Sequence, residues 1–350
     1  MTSLLVIIVL VLLAVALWQL TKIFDLTQVG SSSDDSQVAS DNDNNVQGYV
    51  MFGFLAFIYI FTIYGLLKWG NLVLHTPASE HGLLVDSLMN ITWVLIFTVQ
   101  VITQGLLHWF SFKNRGHKDK KALFFADSNK LEAIWSIIPS VVLACLILYG
   151  LYAWNNIMFV DKDEDVVEIE LYAQQFKWTA RYAGQDNVLG KANVRLIEGI
   201  NTLGVDMSDP NSQDDIVVSE LHIPKGKKVH FKMRSQDVLH SAYFPHFRAQ
   251  MNCVPGMVTE FAFVPTYTTA EYRELPFMVE KVANINKLRA EKSIELVAKG
   301  GTALDPYTFD YLLLCNKICG ASHYNMQMKV VVDTPEEFKA WLKEKPTLAQ

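Results

Sequence analysis

Cys315-Asn316-Lys317-Ile318-Cys319-Gly320-Ala321-Ser322-His323-Tyr324-Asn325-Met326 is the stretch that decides the fold of this 350-residue chain. Two thiols, an imidazole and a thioether follow one another at C-x3-C-x3-H-x2-M spacing, so four soft or borderline ligands share one short loop. Polarisable sulfur prefers soft, electron-rich metals, which selects copper over calcium, magnesium or manganese. Zinc sites more usually show C-x2-C pairs and no methionine. A mononuclear blue-copper site needs only one cysteine, whereas two can bridge a pair of copper ions that share one electron. The loop reads as a dinuclear copper electron-transfer site that still lacks one histidine. The alternative is a small disulfide between Cys315 and Cys319 in an oxidising compartment. It leaves His323 and Met326 unexplained.

Upstream lie Asp237-Val238-Leu239-His240-Ser241 and Val254-Pro255-Gly256-Met257. Together the three stretches closely resemble subunit II of the haem–copper cytochrome c oxidases, from about residue 88 to about residue 333. The resemblance implies a CuA centre in a cupredoxin-like domain. In it Cys315 and Cys319 are bridging thiolates, His240 and His323 terminal imidazoles, and Met326 a weak ligand on one copper. The backbone carbonyl of Lys317 coordinates the other. His246 competes with His240 on composition, and only the match around Asp237 separates them. Cys145, in an apolar run, and Cys253, beside Val254-Pro255, read as unliganded thiols.

Apolar residues make up 51% of the chain and concentrate in its first 155 positions. Four hydrophobic runs stand out, at 3–20, 50–67, 88–110 and 131–154. At about 1.5 Å per residue each reaches roughly 27 Å or more, enough to cross a bilayer core. The third carries Asn90, Thr92, Gln100, Thr103, Gln104 and His108, which should face protein rather than lipid. Between the third and fourth runs stand Lys113, Arg115, Lys118, Lys120, Lys121 and Lys130, so this connection is expected to be cytoplasmic. With four spans the N-terminus lies outside, the polar linker 31–47 inside, and everything after residue 154 outside. Run 3–20 has no positive n-region and no small-x-small cleavage site, so it is expected to be a retained helix rather than a signal peptide. Two spans exceed the family's two-helix anchor; they either dock a further partner or face lipid.

The expected fold is membrane-anchored α + β, with N-terminal transmembrane helices followed by a cupredoxin-like Greek-key β-sandwich. Partial alternation at 166–172, 215–223 and 227–233 supplies the strands. The expected divisions are 1–48 (extra helix and polar linker), 49–87 (second extra helix and loop), 88–159 (hairpin anchor) and 160–350 (copper domain). Insertions are expected at about 186–211 and 268–306, the latter with helical periodicity over 276–299.

Asn129-Lys-Leu-Glu132-Ala-Ile-Trp135-Ser-Ile-Ile-Pro139 resembles the start of the family's second anchor helix. The resemblance puts Glu132 at the cytoplasmic mouth of a proton pathway leading into subunit I. Spacing alone favours a capping box, with Asn129 as N-cap and Glu132 at N3. Pro139 predicts a kink.

The chain departs from the family twice. Gln175-Phe176-Lys177-Trp178 resembles the aromatic stretch that covers the copper and receives electrons, but the usual tryptophan is replaced by Phe176, with Trp178 two residues on. Lys317 stands where the family usually has a glutamate whose carboxylate helps hold a magnesium ion near subunit I. A lysine carbonyl can serve copper, but the ammonium cannot hold magnesium, so that site is expected to be absent or rebuilt.

No C-x2-C-H, Walker loop, dinucleotide fingerprint or hydrolase elbow occurs. A net charge of −6 disfavours nucleic acid and fits attraction to a basic cytochrome c patch. The resemblance implies subunit II of a proton-pumping, aa3-like oxidase of a bacterial inner membrane, its CuA domain periplasmic. Electrons would pass from cytochrome c to CuA, then to haem a, haem a3 and CuB in subunit I, where oxygen becomes water. Expected partners are subunits I and III, membrane lipid and a cytochrome c. The extra helices and Phe176 favour a tethered donor, such as a quinol:cytochrome c reductase in a supercomplex. A quinol oxidase subunit II would have lost the copper ligands, and a copper carrier would expose labile ones.

Overall fold

The structure is a computed structural model that describes residues 2–28, 40–70, 75–121, 123–161 and 165–349. Its apolar N-terminal sequence forms α1 (Thr2–Gln28), α2 (Asp41–Trp69), α3 (Glu80–Lys113) and α4 (Asn129–Met158). Among the described residues α2, α3 and α4 are long and apolar enough to cross a bilayer, and α1 contributes a shorter apolar stretch, Ile8–Thr21. The expected first span at 3–20 falls partly on side chains outside those described.

Residues 41–47 were expected in the polar linker but are helical. Ser40 caps α2 by accepting the Asp43 N–H at 3.1 Å, and Asp41 and Asp43 complement the positive end of the helix dipole. The rest of the linker, 29–39, lies outside the described residues. The cap of α4 also differs from expectation. Ser128, not Asn129, accepts the Leu131 N–H on its hydroxyl, and its carbonyl accepts the Glu132 N–H. Glu132 is thereby one position too far along for a capping box. Through Pro139, α4 continues as one helix.

The chain divides into two compact units, one of residues 1–70 with 93–136 and one of 71–92 with 137–350. In the first, α2 packs on α3. Tyr59 donates its hydroxyl to the Val101 carbonyl at 2.7 Å, and buried His108 sits against Phe54. A Cβ on Gly48 would lie 2.6 Å from the Phe112 ring, so only glycine permits this approach. Gln100, Gln104 and His108 are covered at least in part, as expected for polar groups in a span. Asn90 and Thr103 are exposed, and Thr103 satisfies its hydroxyl on the Val99 carbonyl.

The second unit is a β-sandwich. Its strands are β1 (Val167–Gln174), β2 (Lys177–Tyr182), β3 (Ile216–Val218), β4 (Leu221–Pro224), β5 (Val229–Ser235), β6 (His240–Phe244), β7 (Ala249–Cys253), β8 (Thr259–Phe263), β9 (Tyr311–Cys315) and β10 (Gln327–Asp333). One sheet has the order β3-β2-β1-β5-β8, the other β4-β10-β9-β6-β7. Ile169, Leu171, Phe231, Phe244, Tyr311, Leu313 and Val330 interleave as the buried core. Strand β1 is covered on both faces, which explains its incomplete alternation: Tyr172 packs outward against Leu203 and Val205 of the 186–211 insertion. The second insertion holds α5 (Thr269–Arg273) and α6 (Pro276–Ala298), as its periodicity predicted. Asn286 anchors α6 to the returning chain by bonding both the N–H and the carbonyl of Tyr307.

The sandwich also takes in residues that the sequence assigned to the second span and its loop. Ala78 is fully buried in the sandwich core. Its N–H donates to the His246 carbonyl at 2.7 Å and its carbonyl accepts from Thr266 at 2.9 Å. Ser79 donates to the Phe247 carbonyl, and Tyr272 to the Thr76 carbonyl. Arg248, in the left-handed region at φ 53°, clasps Asp86 through Nε and Nη2 at 2.8 and 3.0 Å. Backbone hydrogen bonds of this kind leave no periodicity in sequence, so the boundary at 160 could not anticipate them.

Candidate metal centre

Strands β6 and β9 are antiparallel neighbours, with Ala242 opposite Cys315. That register brings His240, the first residue of β6, beside Cys315, the last residue of β9. The loop that follows is closed at its base by the Cys315 N–H donating to the Met326 carbonyl at 3.1 Å. A 3-10 turn at His323–Asn325 then carries the chain into β10.

The donor atoms converge. Cys315 Sγ lies 3.8 Å from His240 Nδ1, 3.9 Å from Cys319 Sγ and 3.3 Å from the Lys317 carbonyl oxygen. Cys319 Sγ lies 3.6 Å from His323 Nδ1 and 3.8 Å from Met326 Sδ. Donors bound to one metal at about 2.0–2.3 Å are separated by roughly 3.3–3.8 Å at tetrahedral angles. Four of the five separations fall in that range, and the two thiols, at 3.9 Å, lie just beyond it. Among the described residues, His240, Cys315 and Cys319 are the group of His, Cys, Asp and Glu side chains close enough to hold a metal ion.

Burial pushes the Cys319 thiol up to about 11, and the neighbouring Cys315 pushes it further the same way. Two thiols so placed resist joint ionisation unless a cation compensates.

Asp237 organises the surroundings. Its Oδ1 accepts from His240 Nε2 at 2.8 Å and its Oδ2 from the Gln175 N–H at 2.7 Å. Burial works against the charged carboxylate, but hydrogen bonds from Gln175, His240 and the Val238 N–H outweigh it and hold Asp237 below the usual range. A proton kept on Nε2 leaves the Nδ1 lone pair facing the thiols.

The two aromatic candidates separate. Trp178 is buried and meets His240 edge-on, with centroids 6.3 Å apart. Phe176 is half-buried and lies on the metal loop. Gly320 has φ +140°, and a Cβ there would come 2.8 Å from Phe176 Cζ. Gln175 also donates its side-chain amide to the Cys319 carbonyl.

His246 does not join the cluster. Its ring sits among Tyr272, Phe309 and Tyr311, and burial, with Lys281 and Arg248 nearby, pushes it down to about 4. Cys253 is buried directly across from His240 on β7, and burial pushes its thiol up to about 12. Cys145 is exposed on α4, Glu132 is exposed on the first turn of α4, and the Lys317 side chain is exposed. Sequence reasoning quoted Asp237 and Gln175 as motif letters without giving them a role. Their signal was the placement of a carboxylate three residues before a ligand histidine and of an amide next to the aromatic.

The family model for the cytochrome c oxidase subunit II transmembrane domain matches residues 67–152. Alternative cytochrome c oxidase subunit 2 of Bradyrhizobium diazoefficiens is 32% identical over 279 residues, covering 78% of this chain and 84% of that one. Cytochrome c oxidase subunit 2 of Thermostichus vulcanus is 24% identical over 304 residues, covering 79% and 80%. Among solved structures, the periplasmic domain of subunit II of cytochrome oxidase of Bradyrhizobium japonicum matches at 19% identity and a TM-score of 0.30, over 53% of this chain and 95% of that one.

Proposed function

This chain belongs to the cytochrome c oxidase subunit II family, and from that premise we propose that it takes electrons from a cytochrome c at a CuA centre and hands them to haem a of subunit I. The observation that carries this reading is the convergence of six donor atoms on the Cys315–Cys319 pair. When bound, the copper pair supplies a one-electron store shared between two metals.

The chain's own residues keep that store rigid. Cys315, Cys319, His240, His323, Met326 and the Lys317 carbonyl would hold the copper pair. Asp237 fixes the His240 ring, and buried Trp178 and Met326 keep water out. A site whose ligands are already in place rearranges little as its charge changes. Phe176, half-exposed over the loop, is the aromatic through which the electron arrives; Trp178 supports it from the core. The exposed Lys317 side chain offers no carboxylate to magnesium, so the family's magnesium site is absent or rebuilt. Glu132, at the start of α4, collects protons for subunit I, and the copper domain is periplasmic on a bacterial inner membrane. The donor is a cytochrome c, soluble or tethered to a quinol:cytochrome c reductase.

Copper content and low-temperature EPR of the purified full chain test the central claim. Two coppers per chain sharing one unpaired electron, lost in His240→Ala, are expected. One copper with a mononuclear spectrum, or none after reconstitution, would sink it.

A further inference from the structure

The connection between α3 and α4 holds a surface that the electron-transfer role leaves unused. Its first half is fixed to the helix ends. Arg115 donates to the Asn45 side chain at 2.6 Å and lies over the Phe112 ring, Asn44 donates to the Gly116 carbonyl, and the Lys118 N–H donates to Asp41. A short turn then closes between His117 and Lys120. Lys118, Lys120 and Lys121 are exposed along it.

The second half is apolar and uncovered. Leu123 and Phe124 are each 95% exposed and Phe125 is 73% exposed. An apolar triplet open to water would be costly, since each such side chain gains from leaving it. Here it lies between a spanning helix that ends at Lys113 and another that begins at Asn129, so the connection starts and finishes at one face of the bilayer. Clustered lysines beside aromatic and aliphatic side chains are the chemistry of an anionic lipid interface.

We infer that residues 117–121 and 123–127 form a lipid-binding element. Leu123, Phe124 and Phe125 enter the boundary between headgroups and acyl chains of the leaflet at which α3 ends. Lys118, Lys120 and Lys121 hold the phosphates of anionic lipids. The occupant is a membrane surface, chosen by the positive charge and by continuity with two spans. This inference does not depend on the metal centre.

Photocrosslinking in native membranes tests it, with photoreactive 4-benzoylphenylalanine replacing Phe124 in the intact protein and the adducts weighed by mass spectrometry. Phospholipid adducts rich in anionic headgroups are expected. Their anionic share should fall by about fivefold for each lysine removed in the series Lys118→Gln, Lys120→Gln, Lys121→Gln. Adducts to another polypeptide would overturn the inference by showing a protein partner over the triplet. Absence of any adduct, while the same photoreactive group at exposed Ile102 of α3 captures lipid, would overturn it by showing the loop in water. An unchanged lipid profile in the lysine variants would remove the anionic specificity. Phe124 and the three lysines are exposed, so none of these changes threatens the fold.

Discussion

Asp237 Oδ1 and His240 Nε2 are 2.8 Å apart, and this contact links a metal-ligand candidate to a carboxylate whose other oxygen holds the Gln175 N–H at 2.7 Å. One side chain thus sets the ring of His240 and the turn that carries Phe176 over the metal loop. The positions of the His240 ring and of the Gln175–Phe176 segment are tied together through it.

Asp237→Asn should therefore weaken copper by about tenfold to a hundredfold, the usual cost of losing a group that orients a ligand imidazole. Competition with a copper chelator measures this. The metal-free protein carries a second signature. The folded pKa of Asp237 lies below its unfolded value, so the folded state binds fewer protons and stability rises with pH. That contribution is complete above the ordinary carboxylate range and is lost as pH falls through the depressed value. Urea midpoints of wild type and variant should converge at low pH. A constant gap at every pH would contradict the charge-based account.

The two aromatics of the 175–178 stretch should answer differently to truncation. Trp178 is 3% exposed, so Trp178→Ala opens a cavity worth about 3–5 kcal/mol and lowers the melting temperature. Phe176 is half-buried, so Phe176→Ala costs much less stability, but it slows electron uptake with copper content and EPR unchanged. Stopped-flow reduction by a cytochrome c decides between them. Equal rates in wild type and Phe176→Ala would move the path elsewhere.

The peptide at 75–80 makes a further demand on stability. Arg248→Ala removes the clasp on Asp86 and a donor to the Pro245 and His75 carbonyls, at about 1–3 kcal/mol. The Asp86 side chain is about one-third exposed, so solvent screening favours the lower part of that range. By the same reasoning, a soluble fragment that starts at residue 160 loses Ala78 from its core. It should unfold at lower urea than a fragment in which 75–86 is restored by fusion. Identical midpoints would show that the peptide is passive.

These residues mark how far the sequence could be read. The cluster of Cys315, Cys319, His323 and Met326 was legible because four candidate donors fall within one loop. The spans were legible because a bilayer demands long apolar runs. The helix at 276–298 showed in its 3.6-residue period. What stayed hidden was held by contacts distant in sequence: the Ala78 hydrogen bonds, the covering of Tyr172 by Leu203 and Val205, and the Gln175 N–H held by Asp237. His246 and His240 looked alike on composition, but His240 opens β6, which pairs with β9 beside the metal loop, whereas His246 lies in the 3-10 turn after β6, in an aromatic box. Ser128 took the cap expected of Asn129, since a hydroxyl one residue earlier meets the Leu131 N–H.

Lys317 offers the last test. Its carbonyl lies 3.3 Å from Cys315 Sγ, in reach of a metal held there, while its side chain is exposed and positively charged. An ammonium repels a divalent cation, and a carboxylate is the hard oxygen ligand that magnesium needs. Oxidase grown with manganese in place of magnesium should then show no bound Mn2+ EPR signal attributable to this position. Lys317→Glu should gain one, with the copper spectrum unchanged, because any residue supplies the same backbone carbonyl. A Mn2+ signal in the wild type that vanishes in a variant of this loop would mean that other groups rebuild the site, and that the lysine is tolerated beside the cation.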